Sequence, residues 1–198
     1  MAATAIHQAE AVPFFSRWVV AEAVGRPVAV DPADSAAAEA VLVGAGQVRA
    51  GSQMRTKEFL SRLEHDRIVG AIRDAESKTS SQIRVYVQRG KLSADPLIAA
   101  QEKFHRLGMH KTRERNAVLI FVAPRAHKFA VVGDQAVHEK CGGEFWQRLI
   151  DTMRAHFQNE KFSRALVETI EETGKTLAAH FPKRSIGGNE LPNDIIET

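Results

Sequence analysis

Apolar positions change their period several times along this chain. From Glu58 to Lys78, Leu60, Leu63, Ile68, Ile72 and Ala75 recur at three-to-five spacing among Arg62, Glu64, Asp66, Arg67, Arg73 and Asp74. That spacing predicts a helix with one buried stripe. Thr79-Ser80-Ser81 should stop it, because their hydroxyls compete for backbone groups. Ile83, Val85 and Val87 then alternate with Gln82, Arg84, Tyr86 and Gln88. Alternation predicts a strand with one better-buried face. Pro96 suits a helix first turn, and Leu97, Ala100, Phe104 and Leu107 form a stripe down to Gly108. Near the C-terminus, Trp146, Leu149, Ile150, Met153 and Phe157 form one helical stripe, and Leu166, Ile170, Gly174, Leu177 and Phe181 another. Pro182 ends the second. The tail from Ser185 to Thr198 reads as extended, docking through Leu191 and Ile195.

Between these lies the most apolar part of the chain. Ala117 to Val122 is apolar without alternation, as a strand buried on both faces should be. Pro124 to His127 reads as a turn, Lys128 to Val132 as the partner strand, and Gly133-Asp134 as the step into a helix. The order strand, helix, strand, hairpin requires a parallel crossover from the Ile83 strand to the Val118 strand, then an antiparallel return. The expected fold is α/β: a mixed sheet, parallel crossover plus antiparallel hairpin, flanked by helices as a three-layer α/β/α sandwich.

Residues 1–53 break the pattern. They are rich in Ala and Val and show no sustained period. They carry three Arg against five acids, leaving 24 basic and 19 acidic residues for the remainder. The expected organisation is a poorly ordered extension at 1–53, with a short helix possible at Ala36 to Val43, an α/β domain at 54–183 and an extended tail at 184–198. The composition break also raises Met54 as the natural start. Val41-Leu42-Val43-Gly44-Ala45-Gly46 resembles a dinucleotide-binding turn, but the small third residue that fingerprint needs is replaced by Arg49.

The net charge of +3 is mild and interspersed, so no nucleic-acid partner is expected. The single cysteine, Cys141, permits no intrachain disulfide and fits a reducing compartment. No run of about 18 apolar residues predicts a transmembrane segment. The opening MAATAIHQAE lacks the basic start and apolar middle of a signal peptide. The expected location is cytoplasmic. No G-x-S-x-G, H-E-x-x-H or P-loop occurs, and His110, His127, His156 and His180 have no zinc-ligand spacing.

If the hairpin is symmetric about Arg125, Val122 faces Lys128, Val118 faces Val132 and Asn116 faces Asp134. The parallel crossover brings Thr79, Ser80, Ser81 and Gln82 to the same rim as Arg115, Asn116 and Asp134. His138 lies one helical turn beyond Asp134, and Glu139 is next to it. Such a set could hold a hard cation through oxygens or a phosphate through Arg and helix amides. Each member also has a plainer role. Asp134 caps a helix, Arg115 ion-pairs, Asn116 and Thr79 to Ser81 satisfy turn backbone, and His138 and Glu139 are solvated.

The same residues carry a family resemblance. Thr79-Ser80-Ser81-Gln82-Ile83, Leu107-Gly108-Met109, Thr112, Arg115 to Ile120, Lys128-Phe129-Ala130, Gly133-Asp134, His138-Glu139, Phe145-Trp146, His180-Phe181-Pro182 and Asn189 to Pro192 resemble the TPM domain family in unbroken order. This α/β family has bacterial and plant thylakoid-lumen members. The resemblance implies a phosphatase, with acid phosphatase activity and calcium binding in plant members and upkeep of membrane complexes in others. It marks Asp134 and His138 as candidate catalytic residues, and Arg115, Asn116, Thr79 and Ser80 as substrate-binding. Asp134 and Glu139 become candidate ligands for calcium or another hard divalent cation. The family often has Glu where this chain has Gln82, and many members carry a signal peptide and a membrane anchor. Two functions are therefore expected: a metal-assisted phosphatase or phosphoester-binding domain acting on a phosphorylated substrate, or a non-catalytic domain docking a protein partner of a membrane-associated complex.

Overall fold

The computed structural model describes residues 55–183 and 195–197, together with the strand backbones at 19–21, 40–41 and 45–47. The elements are β1 (Val19–Ala21), β2 (Ala40–Val41), β3 (Ala45–Gln47), α1 (Thr56–Ser61), α2 (His65–Lys78), β4 (Ile83–Val87), α3 (Pro96–Arg106), β5 (Val118–Ala123), β6 (Lys128–Asp134), α4 (Gln135–Gln158), α5 (Phe162–His180) and β7 (Ile195–Glu197). The sheet order is β1-β3-β6-β5-β4-β7, with β2 also pairing β6. β4 runs parallel to β5 and β7, and the remaining pairs are antiparallel.

Helices cover both faces, giving three layers. On one face Ile83, Val85 and Val87 of β4 and Val118, Ile120 and Val122 of β5 bury against α2, α4 and α5. On the other, Tyr86, Leu119, Phe121, Ala130 and Val132 bury against Leu97, Ala100 and Phe104 of α3. Tyr86 stacks on Phe121 with ring centroids 5.6 Å apart. β4 is therefore buried on both faces. The face that alternation left less buried carries Tyr86, on which α3 packs, and Arg84, which is only 5% exposed. Asp95 caps α3 by accepting the Leu97 N–H at 2.9 Å, with Pro96 in the first turn.

The helix expected from Glu58 to Lys78 is two helices, α1 and α2, separated at 62–64. The break is set from outside: the Glu64 N–H donates to the Ser163 hydroxyl at 2.9 Å, an acceptor in α5 that no local pattern reveals. Within the expected extension, β3 joins β6 in an antiparallel pair, Ala45↔Ala130 to Gln47↔Lys128. Gly46 lies in that strand rather than in a turn leading to a helix, consistent with no dinucleotide fingerprint. Ala40 and Val41 are strand, paired with Asp134 and Gly133, not part of a helix. The rest of the Ala36 to Val43 expectation, and Leu191, lie outside the described residues. Ile195 does dock: it is 6% exposed and sits in the core. No described helix is long and apolar enough to cross a membrane.

Candidate functional site at the edge of the sheet

The hairpin between β5 and β6 decides what meets at the rim. Pro124–Ala126 forms a 3-10 turn closed by His127 in the left-handed region, φ 50°. The four-residue turn centres between Arg125 and Ala126 rather than on Arg125. Pairing therefore runs Val118↔Gly133 through Ala123↔Lys128, one step away from the expected Val118–Val132 and Asn116–Asp134 partners. A one-residue slip turns each side chain to the opposite face. The Asp134 N–H meets the Ala117 carbonyl at 2.9 Å, and Asn116 does not face Asp134.

Arg115 does. Its own backbone is left-handed, φ 50°, and its carbonyl accepts the Ala136 N–H at 3.2 Å. Its Nε donates to both Asp134 oxygens, at 3.0 Å to Oδ1 and 2.9 Å to Oδ2. The Asp134 side chain is fully buried, whereas that of Arg115 is 44% exposed. A carboxylate withdrawn from water needs such a partner. Asp134 Oδ1 also accepts the Gln135 N–H at 2.9 Å, so Asp134 is the N-cap of α4 as well.

A second cluster adjoins it. The Ser80 hydroxyl donates to Glu114 Oε2 at 2.5 Å. Asn116 Nδ2 donates to Ser80 Oγ at 3.1 Å and lies 3.4 Å from the same Glu114 oxygen. Thr79 belongs to the scaffold. Its hydroxyl donates to the Phe181 carbonyl at 2.6 Å and accepts the Ser81 N–H at 3.1 Å. Gln82 uses its carbonyl to accept the Val118 N–H at 2.8 Å, tying the starts of β4 and β5 together. Glu76, itself buried, accepts the Ile83 N–H at 2.7 Å.

The remaining expected residues are less convergent. Glu139 is exposed and accepts from Gln135 Nε2 at 2.9 Å, a pairing along its own helix. His138 has a buried Nδ1 with no hydrogen-bond partner among the described residues. Two residues unforeseen in the sequence enter the site. Glu114 is one; its only sequence signal is its place two residues before Asn116. His110 is the other, in the 3-10 turn Met109–Lys111, its ring centroid 4.8 Å from that of His105. Burial holds the His110 pKa below the usual histidine value, helped by His105, Lys111 and Arg115 and opposed by Asp134. Cys141 lies apart as a free thiol, its pKa raised by burial.

Both Asp134 oxygens are engaged by Arg115, and among the described residues no group of three His, Cys, Asp or Glu side chains converges to hold a metal.

A family model of the TPM domain matches residues 54–176. Among solved structures, the chain is similar to the NMR structure of BA42 protein from the psychrophilic bacterium Bizionia argentinensis. The two are 36% identical, with a TM-score of 0.64, over 68% of this chain and 92% of that one. No curated protein matches the chain.

Proposed function

Because the chain belongs to the TPM domain family, we propose that it binds phosphoesters at the rim and hydrolyses them, with Arg115 as the phosphate-holding cation. One observation carries this reading: a half-exposed guanidinium is pinned in place by a buried carboxylate. A guanidinium presents its donors in a rigid fork that matches phosphate oxygens. Asp134 fixes the direction of that fork and is a positioning residue. The Ser80–Glu114 pair adds a hydroxyl polarised by a carboxylate, with Asn116 holding the hydroxyl oxygen. An attacking oxygen needs that kind of partner. Calcium, or another hard divalent cation, is the competing guest for Asp134, and it must displace Arg115 to reach the carboxylate.

The test is turnover of a chromogenic phosphate monoester by the wild type, Arg115→Gln and Asp134→Asn, each with and without calcium. Removing one preorganised charged donor should lower kcat/KM by roughly a hundredfold. Asp134→Asn should act mainly by loosening Arg115, raising KM more than it lowers kcat. Equal rates for wild type and Arg115→Gln would end the reading. Calcium activation that disappears in Asp134→Asn would make the carboxylate a metal ligand instead.

A further inference from the structure

A cleft of about 700 Å³ opens at the other end of the sheet, lined by Arg55, Thr56, Lys57, Leu60, Arg89, Gly90 and Arg125. Its position follows from topology. β4 and β5 start beside the rim, at Ile83 and Val118, and run parallel. Arg89 and Gly90 follow the C-terminal end of β4, and Arg125 lies in the turn after β5. Five strand residues span about 17 Å, so the cleft and the rim are separate sites. Crevices beyond the carboxyl ends of parallel strands are where open α/β sheets place their ligands.

The lining is cationic and comes from three parts of the chain. Arg55 and Lys57 come with α1, Arg89 with the end of β4 and Arg125 with the hairpin. The α1 segment is tied to the strand end where Thr56 Oγ1 lies 3.5 Å from the Gln88 carbonyl. Arg89 is matched by Glu197 of β7. The other cations of the cleft have no ion-pair partner among the described residues. Among the described residues no carboxylate lines the cleft, and Leu60 gives it an apolar wall. Like charges gathered in a concave site raise the local concentration of anions, and the volume suits a small molecule.

We propose that this cleft is a second ligand site, for a small molecule carrying a diphosphate group. Arg55, Lys57 and Arg125 supply three positive charges beyond the Arg89–Glu197 pair. A terminal diphosphate brings about as many negative ones at neutral pH. The guanidinium forks favour phosphate oxygens, and the chemistry requires neither Arg115 nor Asp134.

The experiment is calorimetric titration of the full chain with inorganic pyrophosphate, and separately with inorganic phosphate and citrate. Pyrophosphate should bind saturably, more weakly as salt rises, and about tenfold more tightly than phosphate or citrate. The double variant Arg55→Gln, Arg125→Gln should weaken pyrophosphate binding about tenfold or more with little change in melting, since Arg55 is exposed and Arg125 partly exposed. Any pyrophosphate taken by the rim would be lost in Arg115→Gln, but the binding component that the double variant removes should persist there, which separates this site from the rim whatever the outcome of the turnover experiment. Absence of saturable pyrophosphate binding would overturn the proposal. Equal binding of citrate, indifference to the double variant, or loss of all saturable binding on Arg115→Gln would do the same.

Discussion

At the scale of single residues, two positions are set by what stands next to them rather than by their own chemistry. Gly133 lies in β6, opposite Val118, beneath the ring of Trp146. A Cβ added there would sit 2.2 Å from Trp146 Cη2 and 2.7 Å from Cζ2. Trp146 is 1% exposed and packed on all sides, so neither ring nor strand can yield cheaply in a close-packed interior. Gly133→Ala should therefore destabilise the fold by roughly 2 kcal/mol or more, measured by urea unfolding. Trp146→Phe in the same background should recover part of that loss, since the smaller ring makes room. Full additivity of the two substitutions would show that the strand, not the ring, takes up the strain. Arg115 and Asp134 are the second case. Asp134 is buried against Arg115, and Arg115 owes its direction to Asp134, so substituting either disturbs both.

Among the elements, α4 shows the same dependence at larger scale. It is two helical pieces joined at Gly142, where φ 71° and ψ 175° are not helical. That region of backbone space is almost reserved for glycine. The kink lets Gln135–Cys141 follow the rim from the Asp134 cap while the rest lays Trp146, Leu149, Ile150, Met153 and Phe157 on the sheet. Nothing lies within 4 Å of a Cβ built at Gly142 or at Gly143. Their substitutions therefore isolate backbone from packing. Gly142→Ala should cost about 1–3 kcal/mol. Gly143→Ala, at ordinary negative φ, should stabilise by about 0.5–1 kcal/mol. Equal effects in urea unfolding would refute the assignment of the kink to backbone conformation. Such a kink could not be read from Cys141-Gly142-Gly143, which signals flexibility without direction. What was legible depended on local period. The β4 strand, the α3 and α5 helices and the crossover into β5 carry their burial pattern within one segment. The hairpin register was not legible, because Pro-Arg-Ala-His admits a turn centred on Arg125 or one centred between Arg125 and Ala126, and only the left-handed His127 decides. The shared rim of Ser80, Arg115, Asn116 and Asp134 survived that slip, since topology placed it, but the partnerships within it were exchanged: Asn116 went to Ser80 and Asp134 to Arg115. Glu114 gained its role from the same exchange, which depends on the left-handed turn of Arg115.

For the whole molecule, the C-terminal strand closes the sheet and touches the cleft at once. β4 would otherwise be an edge, and a bare apolar edge invites pairing with other chains. β7 covers it in parallel register, Val85↔Ile195 to Val87↔Glu197. The two ends of this short strand do different things. Ile195, 6% exposed, is packed in the core with Ile83, Val85 and Phe181. Glu197 is partly exposed and reaches Arg89 at the basic cleft. Truncating Ile195 leaves a cavity that a single strand residue cannot refill, so Ile195→Ala should cost about 2–4 kcal/mol and raise the tendency to aggregate. Glu197→Gln should cost well under 1 kcal/mol, since an exposed ion pair contributes little to folding, but it removes the only anion paired with Arg89 among the described residues. Pyrophosphate binding should then tighten in Glu197→Gln while stability barely moves, and stability should fall in Ile195→Ala. Should both variants instead lose stability to the same degree with no change in binding, β7 would be a structural edge strand and nothing more.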